Sequence, residues 1–313
     1  MRTLFLALAL LMPTSAGARA EIPIHEVDLR SGARRYAVTL TIDGKPVEVG
    51  LDTGSVGLRV LPRALGDAAR AAKGGRISYS YGAGTQFDGA AIKVAISAGG
   101  ISAPITIMRI DRIGCNRQKP NCAAGRSDPT TFGIQGDGVA GQGFAAILGI
   151  RLQHDAIENP FRLLGVKRWL VELPRPGDAA GRLVLDPDDS EIANYQRIAL
   201  DDYGRTAGCL VGPPPLKVCG PAFFDSGAPG LRIFGDVQPQ RWPDGTPIQI
   251  AVGDGKALAT MDVIAGRRDQ ASGIFYEPTP AVPQVRLSLG LAPYFHWSVL
   301  YDADRKQIGL RPR

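Results

Sequence analysis

Val49-Gly50-Leu51-Asp52-Thr53-Gly54-Ser55 carries an aspartate out of an apolar run into a hydroxyl residue and a glycine, and Phe223-Phe224-Asp225-Ser226-Gly227-Ala228 does the same in the other half of the chain. An apolar strand that ends on an acid and a glycine turn presents a carboxylate at the end of a buried element, where a charge is costly to hold. Either stretch alone is an ordinary Asp-x-Gly turn, since Asp and Gly suit turns for local backbone reasons. One in each half points instead to two carboxylates brought face to face by an internal duplication. A second repeat accompanies the first. Ala146-Ile147-Leu148-Gly149-Ile150 follows Asp52, and Leu287-Ser288-Leu289-Gly290-Leu291 follows Asp225. Each is an apolar stretch closing on a glycine, which lets another backbone approach closely, as it must if the strand packs against the acid-bearing turn.

Around these stretches the pattern is mostly strand. Tyr36 to Ile42 alternates, Asp43-Gly44 turns the chain, and Val47-Glu48-Val49 leads back toward Asp52, which reads as a hairpin. The runs Ala91 to Ile96, Ile105 to Ile110, Arg168 to Leu173 and Gly181 to Leu185 look similar, separated by Gly and Pro clusters. Two helices are expected, one from Arg63 to Ala72 and a short one from Asn159 to Leu164 with Pro160 at its first position. With 39 Gly and 24 Pro spread throughout, the fold class is all-β with short connections.

A chain of 313 residues with 44% hydrophobic content is long enough and apolar enough for two core-bearing halves. Met1-Arg2-Thr3, the apolar run Leu4 to Met12, Pro13 and Ala18-Arg19-Ala20 read as a signal peptide over residues 1–20, cleaved before Glu21. The run is too short to span a bilayer, so no membrane anchor is expected after cleavage. Losing Arg2 and Arg19 lowers the formal charge of +6 by two, and basic residues occur at most in pairs such as Arg34-Arg35, Lys167-Arg168 and Arg267-Arg268. No phosphate-binding strip results, and no nucleic-acid partner is expected. Cys115 with Cys122, and Cys209 with Cys219, form two close pairs without metal-site spacing. Four cysteines allow three connectivities; proximity selects the neighbours as two local disulfides, which suits a periplasmic or secreted protein.

Other chemistries are disfavoured. Gly136-Asp137-Gly138-Val139-Ala140-Gly141 matches a dinucleotide fingerprint but lacks a clear preceding strand and parallel α/β surroundings, so it reads as a loop. His25, His154 and His296 are scattered, and no Gly-x-Ser-x-Gly elbow is present. Asp186, Asp188 and Asp189 form an acidic turn with Pro187 that reads as solvated rather than as a calcium site. No metal and no cofactor is expected.

The chain resembles the pepsin-like aspartic peptidases in the order of its motifs. These are Asp52-Thr53-Gly54-Ser55, the flap-like Tyr79-Ser80-Tyr81-Gly82-Ala83-Gly84-Thr85, Ile147-Leu148-Gly149 and Asn159-Pro160-Phe161. The strand pair Trp169 to Leu185, Asp225-Ser226-Gly227, Leu289-Gly290 and the ending Ser298 to Leu310 continue the likeness, which covers nearly all of the sequence after residue 20. The resemblance implies a bilobal β fold, with an N-terminal lobe over residues 21–165 carrying Asp52 and the flap, a C-terminal lobe over 166–313 carrying Asp225, and a cleft between them. It implies an exported aspartic endopeptidase, a monomer acting on peptide or protein substrates. Asp52 and Asp225 would be the catalytic pair, sharing one proton because two adjacent carboxylates do not both ionise easily. Thr53 and Ser226 would hydrogen-bond across to the opposite loop, Gly54 and Gly227 would donate backbone N–H groups to the carboxylates, and Ser55 would orient Asp52. Tyr81, with Gly82 and Gly84 on the flap hairpin, would close over substrate.

Three departures accompany the likeness. Ala228 stands where the counterpart of Ser55 would be and has no side-chain hydrogen bond to give. Arg59 stands near where a tryptophan commonly supports the flap tyrosine, so Tyr81 is expected to be held differently. The interval from Asp225 to Gly290 is shorter than that from Asp52 to Gly149, which implies a trimmed second lobe. They leave open a catalytically inactive pepsin-fold protein that binds peptides or another protein. Glu21 lies so close to Asp52 that no inhibitory pro-segment is expected between them.

Overall fold

The computed structural model describes residues 19–175, 177–236, 241–278 and 284–313. All of the expected signal peptide except Arg19 and Ala20 lies outside these residues. Among the described residues strand predominates over helix, in two large mixed sheets of 13 and 7 strands. The expected hairpin is present: Arg34–Ile42 pairs antiparallel with Lys45–Asp52 around Asp43 and Gly44, whose φ values of 52° and 78° supply the left-handed pair that a two-residue turn requires.

The strand Ala20–Asp28 joins the two halves. Its first residues pair with Gly181–Leu185, and His25 to Asp28 pair with Arg34–Ile42, so the larger sheet runs across the 165/166 position. Arg19 makes ion pairs with Glu191 and Glu21 just ahead of this strand. The smaller sheet is built wholly from strands of the second half, from Thr206–Val211 to Arg286–Ser288. Aliphatic side chains from both sheets enter one continuous core, where Trp169 packs against Phe161 and Tyr301 at ring distances of 5.4 and 5.9 Å.

One pairing pattern occurs twice. Ala146–Ile150 lies between Lys45–Asp52, to which it is parallel, and Val56–Val60, to which it is antiparallel. Arg286–Ser288 lies in the same way between Lys217–Phe223 and Leu231–Phe234. Each acid therefore sits where a strand ends beside a threaded neighbour. The glycines of the second repeat serve the close approach: a Cβ on Gly149 would stand 2.8 Å from Ser55 Oγ, and one on Gly290 would collide with the Gly230 carbonyl.

The expected helix from Arg63 to Ala72 is instead two pieces, a 3-10 turn Pro62–Ala64 and an α-helix Asp67–Ala71. Leu65 breaks it by adopting extended backbone and burying its side chain, and the Gly66 N–H donates to Asp43 Oδ2 at 3.0 Å rather than to a helical carbonyl. The second helix spans Pro160–Leu163. Asn159 Oδ1 caps it by accepting from the Phe161 and Arg162 N–H groups, and Pro160 occupies a position where no N–H is needed.

Cys115 is bonded to Cys122 and Cys209 to Cys219, as proximity suggested; the second pair lies directly opposite across two antiparallel strands. Such bonds belong to an oxidising compartment. Non-reducing peptide mapping is expected to recover these two bridges, and replacing either pair by serine to cost about 2–3 kcal/mol, the entropy of closing a short loop. Free thiols, or a bridge between the two pairs, would show the pairing to be wrong. Among the described residues no helix is long and apolar enough to cross a membrane.

Candidate active site

Asp52 closes the strand Lys45–Asp52, and Asp225 follows the strand Lys217–Phe223, so each carboxyl leaves a sheet at the point where the chain turns away. The turns put them against each other. A Cβ on Gly54 would collide with the Asp225 carboxylate, and one on Gly227 would stand 2.9 Å from Asp52 Oδ1; neither turn admits a side chain there without displacing the opposite acid. Each glycine donates its N–H to the acid of its own turn, Gly54 to Asp52 Oδ1 at 2.9 Å and Gly227 to Asp225 Oδ1 at 3.1 Å.

The two turns are tied by a reciprocal set of buried hydrogen bonds. Thr53 Oγ1 accepts from the Ser226 N–H at 2.9 Å and donates to the Phe224 carbonyl at 3.3 Å. Ser226 Oγ accepts from the Thr53 N–H at 3.0 Å and donates to the Leu51 carbonyl at 2.7 Å. Thr53 and Ser226 are each 1% exposed, so these groups have no alternative partner in water. Tyr294 Oη donates to Thr53 Oγ1 at 2.6 Å and accepts from Tyr301 Oη at 2.6 Å, which props the set from below.

Each acid also receives a hydroxyl. Ser55 Oγ donates to Asp52 Oδ2 at 2.8 Å, as expected. Ala228 provides no equivalent on the other side, yet Asp225 is not left short: Ser288 Oγ donates to its Oδ2 at 2.9 Å from the threaded strand Arg286–Ser288. Gln135 Nε2 adds a longer contact to Asp52 Oδ2 at 3.4 Å. Burial pushes both carboxyls above the ordinary aspartate value. At Asp52 the charge of Asp225 adds to that rise, while Ser55, the Gly54 N–H and Arg59 oppose it. At Asp225 the opposing groups are Ser288, Arg151, Arg232 and the Gly227 N–H.

The segment expected to act as a flap is the hairpin of Gly75–Ser80 and Thr85–Ala98, closed by hydrogen bonds from the Tyr81 N–H to the Thr85 carbonyl and from the Gly84 N–H to the Tyr81 carbonyl. Gly84 has φ 99°, a conformation that side chains resist. At the tip, a Cβ on Gly82 would stand 3.6 Å from Phe234 Cε1, so the hairpin reaches the second half of the chain. Tyr81 is held by ring edges, 5.0 Å from Tyr79 and 5.7 Å from Phe87, and its Oη is buried without a hydrogen-bond partner among the described residues. Arg59 does hold it differently. Its guanidinium lies 3.2 Å from the centre of the Tyr79 ring and 5.9 Å from that of Tyr81, with Asp155 as ion partner at 3.6 Å. The support is thus a buried cation stacked on the neighbouring tyrosine.

Between the flap and the two acids lies a cleft of about 250 Å³, walled by Tyr79, Tyr81, Phe132, Phe223 and Phe234. Aromatic walls around two convergent acids suit a chain-like ligand with apolar side chains. Four residues here have no motif to announce them. Gln135, at φ 60°, leads the glycine-rich loop that resembles a dinucleotide fingerprint, and Gly136, Asp137 and Gly138 of that loop line the cleft. Arg35 anchors the loop through Asp137 Oδ1 at 3.0 Å and the Gln135 carbonyl at 3.2 Å. Arg151 stacks on Phe223 at 3.9 Å, and burial lowers its pKa to about 10 against the pull of Asp225. Ser288 stands inside the second repeat, but only its pairing opposite Phe223 shows that it serves the acid. Among the described residues no three His, Cys, Asp or Glu side chains gather as a metal site. No protein-family model matches this chain, and no curated protein matches its sequence.

Proposed function

We propose that the protein is an exported aspartic endopeptidase of pepsin-like, bilobal fold, with the cleft between its lobes as the active site. The observation that carries this reading is the pair Asp52 and Asp225, the first buried and the second half-buried, set against each other and each fed by one glycine N–H and one hydroxyl. Two acids so close hold one proton between them and titrate as a unit. The ionised partner takes a proton from a water placed between them, that water attacks the scissile carbonyl, and the protonated partner stabilises the developing oxyanion. Both acids then return to the shared-proton state as the amine leaves, without a covalent intermediate. The aromatic walls and the flap would hold an extended peptide and exclude water during the reaction.

A non-catalytic peptide-binding protein on the same fold rests on Ala228, Arg59 and the trimmed second lobe; against the first of these, Ser288 Oγ gives Asp225 the hydrogen bond that Ala228 cannot. The test is digestion of a diverse peptide library by purified protein at several pH values between acid and neutral, read by mass spectrometry. Internal cleavage that is blocked by pepstatin, whose central hydroxyl mimics the attacked carbonyl, is the expected result. Protein that is folded by circular dichroism and cleaves nothing across that range would overturn the peptidase reading.

A further inference from the structure

We infer that the cleft contains an anion subsite at Arg232, backed by Lys119, which takes a carboxylate of the peptide close to the two acids; this rests on the peptidase reading above. Arg232 lies on the strand Leu231–Phe234, the first after the Asp225 turn, and lines the cleft. Its charge reaches both Asp225 and Arg35.

Two of the cations around the cleft have an acid of their own. Arg35 is paired with Asp137 and Arg59 with Asp155. Arg151 and Arg232 both act on Asp225, which together with Asp52 supplies the single negative charge of the half-protonated pair. Glu277, however, is shared by two cations, Arg232 and Lys119. With the acids in their reactive state, Arg151, Arg232 and Lys119 face only two negative charges, that of the acid pair and that of Glu277, so one positive charge is left over. A partly buried cation without its own counter-ion is costly, and an entering carboxylate removes that cost.

Geometry suits the same ligand. Among the described residues Arg232 donates only through Nη1, to Glu277, so Nε and Nη2 remain for a carboxylate fork. Its guanidinium lies 5.5 Å from the Phe275 ring centre, which steadies the plane. Lys119 packs against Gly84 of the flap turn, and Gly82 meets Phe234, so the subsite lies where the flap meets the second half of the chain. If Arg232 served only to neutralise Glu277 it would be redundant, because Lys119 already does so.

A peptide can offer an acidic side chain or its own C-terminal carboxylate, and two libraries separate these sources: one with amidated C-termini and internal Asp or Glu, one with free C-termini and no acidic side chains. The expected result is enrichment of a carboxylate at one fixed distance from the cleaved bond in one of the two. In Arg232→Leu the ratio of kcat/KM for carboxylate-bearing over neutral peptides should fall by about 30-fold or more, the loss typical of a buried charge pair. Glu277→Gln, which removes the acid shared by Arg232 and Lys119, should move the same ratio upward and provides the second arm if Arg232→Leu does not fold. Cleavage with no carboxylate preference in either library, or a ratio unmoved by both substitutions, overturns the subsite and leaves the peptidase intact. Absence of any cleavage overturns the peptidase reading and the subsite with it.

Discussion

Asp52→Asn and Asp225→Asn should each lower peptide cleavage by on the order of 10⁴-fold or more, because either change leaves a pair that cannot both hold and accept a proton. The wild-type rate should also depend on pH in a defined direction. Both carboxyls are raised by burial, Asp52 to about 6 with the charge of Asp225 adding to it. The shared proton is therefore retained into mildly acidic solution, and the rate should fall as pH rises through that value. Stability carries the same signature with a fixed sign. A carboxyl raised in the folded state binds its proton more tightly there than in the unfolded chain, so its contribution is fully present below the ordinary aspartate range. It is lost as pH rises through about 6. Asn carries no such charge, so the melting temperature of Asp52→Asn relative to wild type should rise between pH 4 and pH 7. Cleavage that survives both substitutions, or a relative stability that falls across this interval, would falsify the paired-acid reading.

Thr53→Val is expected to be the most destabilising substitution near the site that spares both acids. Valine keeps the shape of threonine but removes Oγ1, which accepts from the Ser226 N–H and Tyr294 Oη and donates to the Phe224 carbonyl. Thr53, Ser226 and Tyr294 are each at most 1% exposed, so water cannot replace the lost partner without opening the structure. Each unsatisfied buried group costs about 1–3 kcal/mol, and three share one atom, so a loss of about 3 kcal/mol or more is expected in urea unfolding. Activity should fall as well, since these bonds fix the separation of the acid turns. A change within about 0.5 kcal/mol, the range of an ordinary surface substitution, would mean that the reciprocal bonds do not hold the turns together.

Much of the site was legible because its parts are local. An acid, a hydroxyl residue and a glycine in succession specify a turn whose own N–H reaches back to the carboxylate, and both Asp52-Thr53-Gly54 and Asp225-Ser226-Gly227 form that turn. Asp43-Gly44 set the first hairpin for the same reason, and cysteines seven and ten positions apart were close enough for proximity to choose the bridges. The repeated apolar stretches ending on Gly149 and Gly290 were readable as the close neighbours of the acid turns because only a missing side chain allows such an approach.

What escaped were contacts between residues far apart in the chain. Ser288 and Asp225 are separated by 63 positions, and Gln135 and Asp52 by 83, and neither spacing carries any periodic signal. The helix expected from Arg63 to Ala72 failed for a related reason: local propensity permitted it, but core burial of Leu65 and the bond from Gly66 to Asp43 won. Arg59 was marked by the resemblance as the neighbour of Tyr81, but Arg35 reads as half of a basic pair and Arg151 and Arg232 carry no motif, and only the packed cleft makes these three neighbours of the acids. Turn chemistry is settled by a few adjacent residues and so is written along the chain. The balance of buried charge depends on which cations and carboxylates meet once water is excluded, and that is decided only when the sheets close around them.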